Sequence, residues 1–142
     1  MSTLRNAINN MDENGLWAVV ACAIAVGKAD GRMDTSEKQE LAQCLRSVGC
    51  DRGATSEIIN SVMDQVDGMG PNEVVDWASE YVGDESIGDA CLVIASAVAA
   101  KAGGIGAKEG VVLQYIANAV GIGYPGNRYM QLLGEGMQLA NS

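Results

Sequence analysis

From Leu16 to Val26, and again from Ala90 to Ala100, the chain is almost unbroken apolar sequence rich in alanine. Around these two runs the apolar positions recur every three or four residues, the spacing of a helix with one buried stripe. No stretch alternates with the two-residue period of a strand, so the pattern predicts an all-α protein. The expected elements are a short opening helix near Thr3 to Met11, an apolar rod from about Leu16 to Ala29, and, after a turn at Gly31, a helix whose inward stripe is Glu37, Leu41, Cys44, Leu45 and Val48. Two lateral helices follow, about Ala54 to Val66 and Pro71 to Val82. A second rod then runs from near Ile87 to about Lys101, a helix from about Ala107 to Val120, and a last helix after Tyr124-Pro125-Gly126 with Tyr129, Leu132, Leu133, Met137 and Leu139 as its buried side.

The chain also repeats itself. Residues 18–49 align with residues 90–121 at a constant shift of 72, with Ala18/Ala90, Ala23/Ala95, Ala25/Ala97, Val26/Val98, Gly31/Gly103, Glu37/Glu109, Leu41/Leu113, Val48/Val120 and Gly49/Gly121 identical. A unit of apolar helix, glycine turn and second helix cannot bury its sticky face alone, and a second copy can cover it. The expected architecture is therefore one pseudo-twofold helical bundle of about seven to eight helices over residues 1–142. Repeat one spans about 16–49, connector helices about 50–86, repeat two about 87–121 and the C-terminal helix about 124–140. The copies differ most in the turn: ADGRMDTSE in the first is KAGGIGAKE in the second.

Composition narrows the chemistry. A net charge of −9 with no histidine leaves no basic stripe for nucleic-acid phosphates, and it removes the commonest general base and transition-metal ligand. Cationic partners suit such a surface. Cys22, Cys44, Cys50 and Cys91 have no CxxC spacing and the N-terminus has no apolar leader, which together point to a reducing, cytoplasmic setting. The two apolar runs are about half the length of a bilayer crossing, so no transmembrane segment is expected. Three of the cysteines fall on core positions, and Cys50 alone reads as exposed. Met69, Met130 and Met137 are the candidates for an exposed apolar patch that a protein partner or a second copy would cover.

Asp30, Asp34 and Glu37 fall within eight residues at the first helix-turn-helix junction, with Glu40 one turn further on. Converging carboxylates suit a hard divalent cation such as calcium or magnesium. An EF-hand is excluded, because its first ligand positions would be Val26 and Lys28. Asp34-Thr35-Ser36-Glu37 also has the form of a capping box, in which the first and fourth side chains satisfy free N–H groups at a helix start. Asp30 lies at the C-terminal end of a rod, where the helix dipole disfavours a negative charge by about 0.3–1 kcal/mol. Lys28, Arg32, a bound cation or a basic partner would each compensate it.

The segments IAVGKADGRMDTSEKQEL and IASAVAAKAGGIGAKEGVVLQYIANAVGIG resemble the TerB-like tellurite-resistance family, and the resemblance covers most of the chain. It implies an internally symmetric helical domain without enzyme activity, a part in tellurite or other stress responses, and assemblies that include membrane-associated partners. It also implies a metal-binding acidic set, which by position is Asp30, Asp34 and Glu37 in the first copy and Glu109 in the second. Ala102 and Gly106 depart from the family pattern and leave the second copy short of acids. The sequence thus points to a non-enzymatic module offering an acidic turn to a divalent cation or a basic partner. The alternative is a metal-independent interaction or scaffold protein, homo-oligomeric in one version.

Overall fold

Two central helices sealed on every side organise this protein, and the rest of the chain covers them. The computed structural model describes residues 2–31, 33–50 and 52–141, with the side chains of Ser2, Thr3, Asp30 and Arg52 outside the description. Among the described residues there are eight α-helices and no strand: α1 (Ser2–Asn10), α2 (Glu13–Gly27), α3 (Thr35–Ser47), α4 (Arg52–Gln65), α5 (Pro71–Ser79), α6 (Glu85–Lys101), α7 (Ala107–Ala119) and α8 (Asn127–Ala140). A 3-10 turn, Lys28–Asp30, extends α2.

The rods are α2 and α6. Every residue from Ala18 to Gly27 in α2 and from Ala90 to Ala99 in α6 is buried, which requires neighbours on all faces. The two rods pack on each other, α2 also against α4, α5 and α7, and α6 also against α1, α3, α7 and α8. Alanine-rich surfaces permit close approach, and one contiguous core cluster runs from Leu4 to Leu139. The closest fit lies between α6 and α8, where a Cβ on Gly136 would stand 2.6 Å from both the Val93 carbonyl oxygen and Ser96 Cβ.

The two repeat segments fold into the same order of rod, turn and following helix. Gly31 and its equivalent Gly103 have φ of +127° and +134°, a left-handed conformation that strains any side chain with a Cβ. Their identity in the alignment has a backbone cause.

Several boundaries differ from the sequence pattern. The first rod starts ahead of Leu16: α2 begins at Glu13, because Asp12 caps it by accepting the Gly15 N–H at 2.9 Å. Gly15 is buried there, where a Cβ would meet Met11 and Ile87. Likewise α6 starts two residues ahead of Ile87, on an Asp84 cap whose side chain accepts the Ile87 N–H. Met137, read both as part of the buried side of α8 and, with Met130, as an exposed-patch candidate, is 46% exposed, and Met130 is exposed as well. Met69 packs against the core, half-buried.

Candidate functional site

The acidic bend between α2 and α3 is built as a helix start. Asp34 Oδ1 accepts the Glu37 N–H at 2.8 Å, and Glu37 Oε1 accepts the Asp34 N–H at 3.1 Å. Both carboxylates therefore satisfy donors that the first turn of α3 leaves without intrahelical partners. In the second copy Gly106 has no side chain to contribute, so only half of the arrangement forms: Glu109 Oε1 accepts the Gly106 N–H at 2.8 Å. The glutamate common to both copies is thus the third helical residue of α3 and of α7. Asp30 closes the 3-10 turn, and its side chain lies outside the described residues. Among the described residues no group of three or more Cys, Asp and Glu side chains is arranged to hold a metal ion.

Two of the described cations, Lys28 and Lys101, are engaged elsewhere on the framework, while Arg32, the other candidate to compensate Asp30, lies outside the described residues. Lys28 Nζ donates to the Val66 carbonyl at 2.9 Å and to the Met69 carbonyl at 3.1 Å, tying the end of α2 to the end of α4. The Val66 carbonyl also accepts the Met69 N–H at 3.0 Å, so Lys28 fastens a turn that follows α4. Lys101 Nζ stands 3.6 Å from Glu40 Oε2, an ion pair across α3 and α6 that is too long for a hydrogen bond. Beside it the Cys44 thiol is raised to about 11, chiefly by burial; Lys101 pulls it down and Glu40 pushes it up. A thiol so protonated is a packing residue at neutral pH.

Neither a protein-family model, nor a curated protein, nor a solved structure matches this chain.

A concavity lies elsewhere, between α1, α2 and α4. It has a volume of about 430 Å³ and is walled by Ile8, Met11, Leu16, Trp17, Leu45, Cys50 and Ile58, with Asn9, Thr55 and Ser61 as polar points. Glu13 and Glu57 are the charged side chains that line it, both exposed, and no Lys or Arg is among its lining residues. Trp17 belongs to an aromatic cluster that holds this wall: its ring stacks on Trp77 with centroids 6.1 Å apart, and Trp77 meets Tyr81 at 4.9 Å. The Trp17 Nε1 donor is buried without a hydrogen-bond partner.

Cys50 differs from the exposed thiol the sequence suggested. It is half-buried in this groove, and burial pushes its pKa up, so its thiolate population falls below that of an ordinary surface cysteine. It is a contact residue more than a nucleophile.

Sequence reasoning missed the groove as a site, although one signal was present. Ile58 and Ile59 are adjacent in α4, and successive helical residues point about 100° apart, so one stripe cannot bury both. Ile59 is in the core and Ile58 is left half-buried on the groove wall.

A smaller cavity of about 250 Å³ lies between α1, α6 and α8, with Asp89 and Arg128 among its walls. Arg128 pairs with Asp89 and, at 3.4 Å, with Glu85. Burial raises the Asp89 carboxyl above its ordinary value, and the Arg128 charge and hydrogen bond partly offset this. This triad ties α8 to the start of α6.

Proposed function

We propose that this protein is a non-enzymatic binding module that seats a positively charged, apolar-faced helix of a protein partner in the groove between α1 and α4. The observation that carries it is the pairing of an apolar wall with a rim whose charged groups are two carboxylates. An amphipathic helix laid into a groove buries its anchor side chains against such a wall. Its flanking Lys or Arg residues would meet Glu13 and Glu57, and the net charge of −9 would speed the encounter. A volume of about 430 Å³ is within the range of functional pockets.

The binding is metal-independent. Asp34, Glu37 and Glu109 each accept a backbone N–H at a helix start, and a calcium or magnesium ion at Asp30 is not required for the groove to work. The TerB-like resemblance, which implies a module without enzyme activity and with protein partners, agrees with this function. A part in tellurite or other stress responses, a membrane-associated partner and a cytoplasmic location are proposed on that resemblance alone. Among the described residues no helix is long and apolar enough to cross a membrane.

Cys50 supplies the test. A designed Lys/Leu amphipathic peptide should slow alkylation of Cys50 in the native protein, while a Glu/Leu peptide of the same pattern should not. Equal alkylation rates with and without the basic peptide would refute the proposal.

A further inference from the structure

The last helix, α8, has two apolar faces. Tyr129, Leu132, Gly136 and Leu139 are buried on the side that packs against α6, whereas Met130 and Met137 are 62% and 46% exposed. Successive helical residues turn by about 100°, so Met130, Leu133, Gly134 and Met137 form one outward stripe, with Leu133 half-buried at its edge. The charged residues of the helix, Arg128 and Glu135, lie about 140–160° around from Met130, which leaves the stripe without charge. Nothing inside the molecule calls for glycine at its centre. The α6 crossing requires Gly136, but a Cβ on Gly134 would meet no atom within 4 Å, and glycine weakens a helix relative to alanine. What a glycine there does permit is close approach by another backbone. The stripe is also self-complementary: a twofold axis midway between Leu133 and Gly134 sets Met130 of one copy against Met137 of the other, and Leu133 over Gly134, each pairing occurring twice. We infer that the outer face of α8 is a docking surface for a second copy of this chain, whose own α8 packs antiparallel across Gly134.

Charge favours this occupant. Two chains of net charge −9 repel each other over most of their surfaces, and the stripe gives them an approach that carries no Asp, Glu, Lys or Arg. In the twofold pairing Glu135 falls opposite position 132 of the second copy and Arg128 opposite position 139, so no like charges face each other. A basic partner would find no carboxylate on this stripe. The flexible methionine side chains adapt to one another across such a contact. With 14 residues α8 is about 21 Å long, and one helix face of that length buries less than the roughly 1,200 Å² at which stable interfaces begin. The dimer is accordingly weak and depends on concentration. No residue of α8 lines the groove between α1, α2 and α4, so this contact does not rest on the groove's occupant.

The test is sedimentation velocity of the full chain under reducing conditions, from about 10 μM to about 1 mM, the range in which a weak contact is read. The native protein should pass from monomer toward dimer within that range. Added salt should strengthen the pairing, because it screens the like net charges and no ion pair crosses the contact. Met130→Glu and Met137→Lys, both at exposed positions, should keep the helical circular dichroism and each weaken self-association at least about tenfold. An equimolar mixture of the two variants should associate again, since the two substituted positions then face each other and the two remaining methionines meet. A monomer throughout, self-association that both variants leave unchanged, pairing that weakens with salt, or a mixture no stronger than either variant alone would overturn the inference.

Discussion

Asp34 and Glu37 hold each other's backbone, each carboxylate accepting the other residue's N–H at 2.8 and 3.1 Å. Two of the carboxylates that the sequence offers to a cation are therefore employed in starting α3. A cap and a chelator respond differently to loss of charge. Asparagine caps a helix about as well as aspartate, whereas alanine costs about 1 kcal/mol. Asp34→Ala should lower the urea-unfolding free energy by about that much and Asp34→Asn by a few tenths. Equal losses from both, restored by calcium or magnesium, would show that the charge and not the hydrogen bond matters.

Lys28 links two helices through the carbonyls of Val66 and Met69. Charged hydrogen bonds are worth roughly 1.5–3 kcal/mol. Lys28→Met is expected to cost about 2 kcal/mol and to speed amide exchange at the end of α4. A loss confined to α2, with α4 protection unchanged, would contradict the link.

The Gly136 crossing is the least forgiving point of the α6/α8 interface. An added methyl group would meet backbone at Val93 and the Ser96 side chain at 2.6 Å, so Gly136→Ala should destabilise by about 1–3 kcal/mol despite the better helix propensity of alanine. Gly134, with open space around it, is the internal control: Gly134→Ala should be neutral or stabilising. Differential scanning calorimetry on the two variants decides it.

Asp84 sets an acid dependence. Its carboxyl is held below the ordinary 3.8, first by the Ser86 hydroxyl and then by the Ile87 N–H. A depressed folded-state pKa contributes stability that is present above the unfolded value and lost as pH falls through the folded one. The stability difference between the native protein and Asp84→Asn should therefore shrink as pH drops below about 3.8. Asp89 works in the opposite sense: its raised carboxyl contributes below the ordinary value, and the contribution disappears as pH rises through the folded value. Urea midpoints of the native protein and the Asp84 variant at pH 7 and pH 3 measure the first effect, and a pH-independent gap would contradict it.

Local periodicity and cap chemistry made much of this fold legible. The rods follow from unbroken apolar runs, α3 from Asp34 and Glu37, and α5 from Pro71 at its first position. Where the pattern misled, a tertiary contact had taken over. The apolar run starts the rod at about Leu16, but α2 extends back to Glu13, with Gly15 fitting beneath Met11 and Ile87. The acidic turn drew attention because its charges are adjacent in sequence. The groove did not, since Trp17, Cys50 and Ile58 are brought together only when α2 and α4 pack. Met137 carries two readings, a place in the buried stripe and an exposed-patch candidate, because the helical period admits it to the stripe; the placement of α6 decides that Leu132, Gly136 and Leu139 fill the contact and Met137 stays exposed.

The most direct test of groove recognition is a calorimetric titration of basic and acidic amphipathic peptides into the native protein and into Glu13→Lys/Glu57→Lys. Both substituted residues are exposed, so the fold should survive, as circular dichroism can verify. The native protein should prefer the basic peptide, and the double variant should lose at least about tenfold in affinity for it, equivalent to about 1.4 kcal/mol, while gaining affinity for the acidic peptide. Affinities that ignore the charge reversal, or no binding of the basic peptide by the native protein, would contradict docking in the groove.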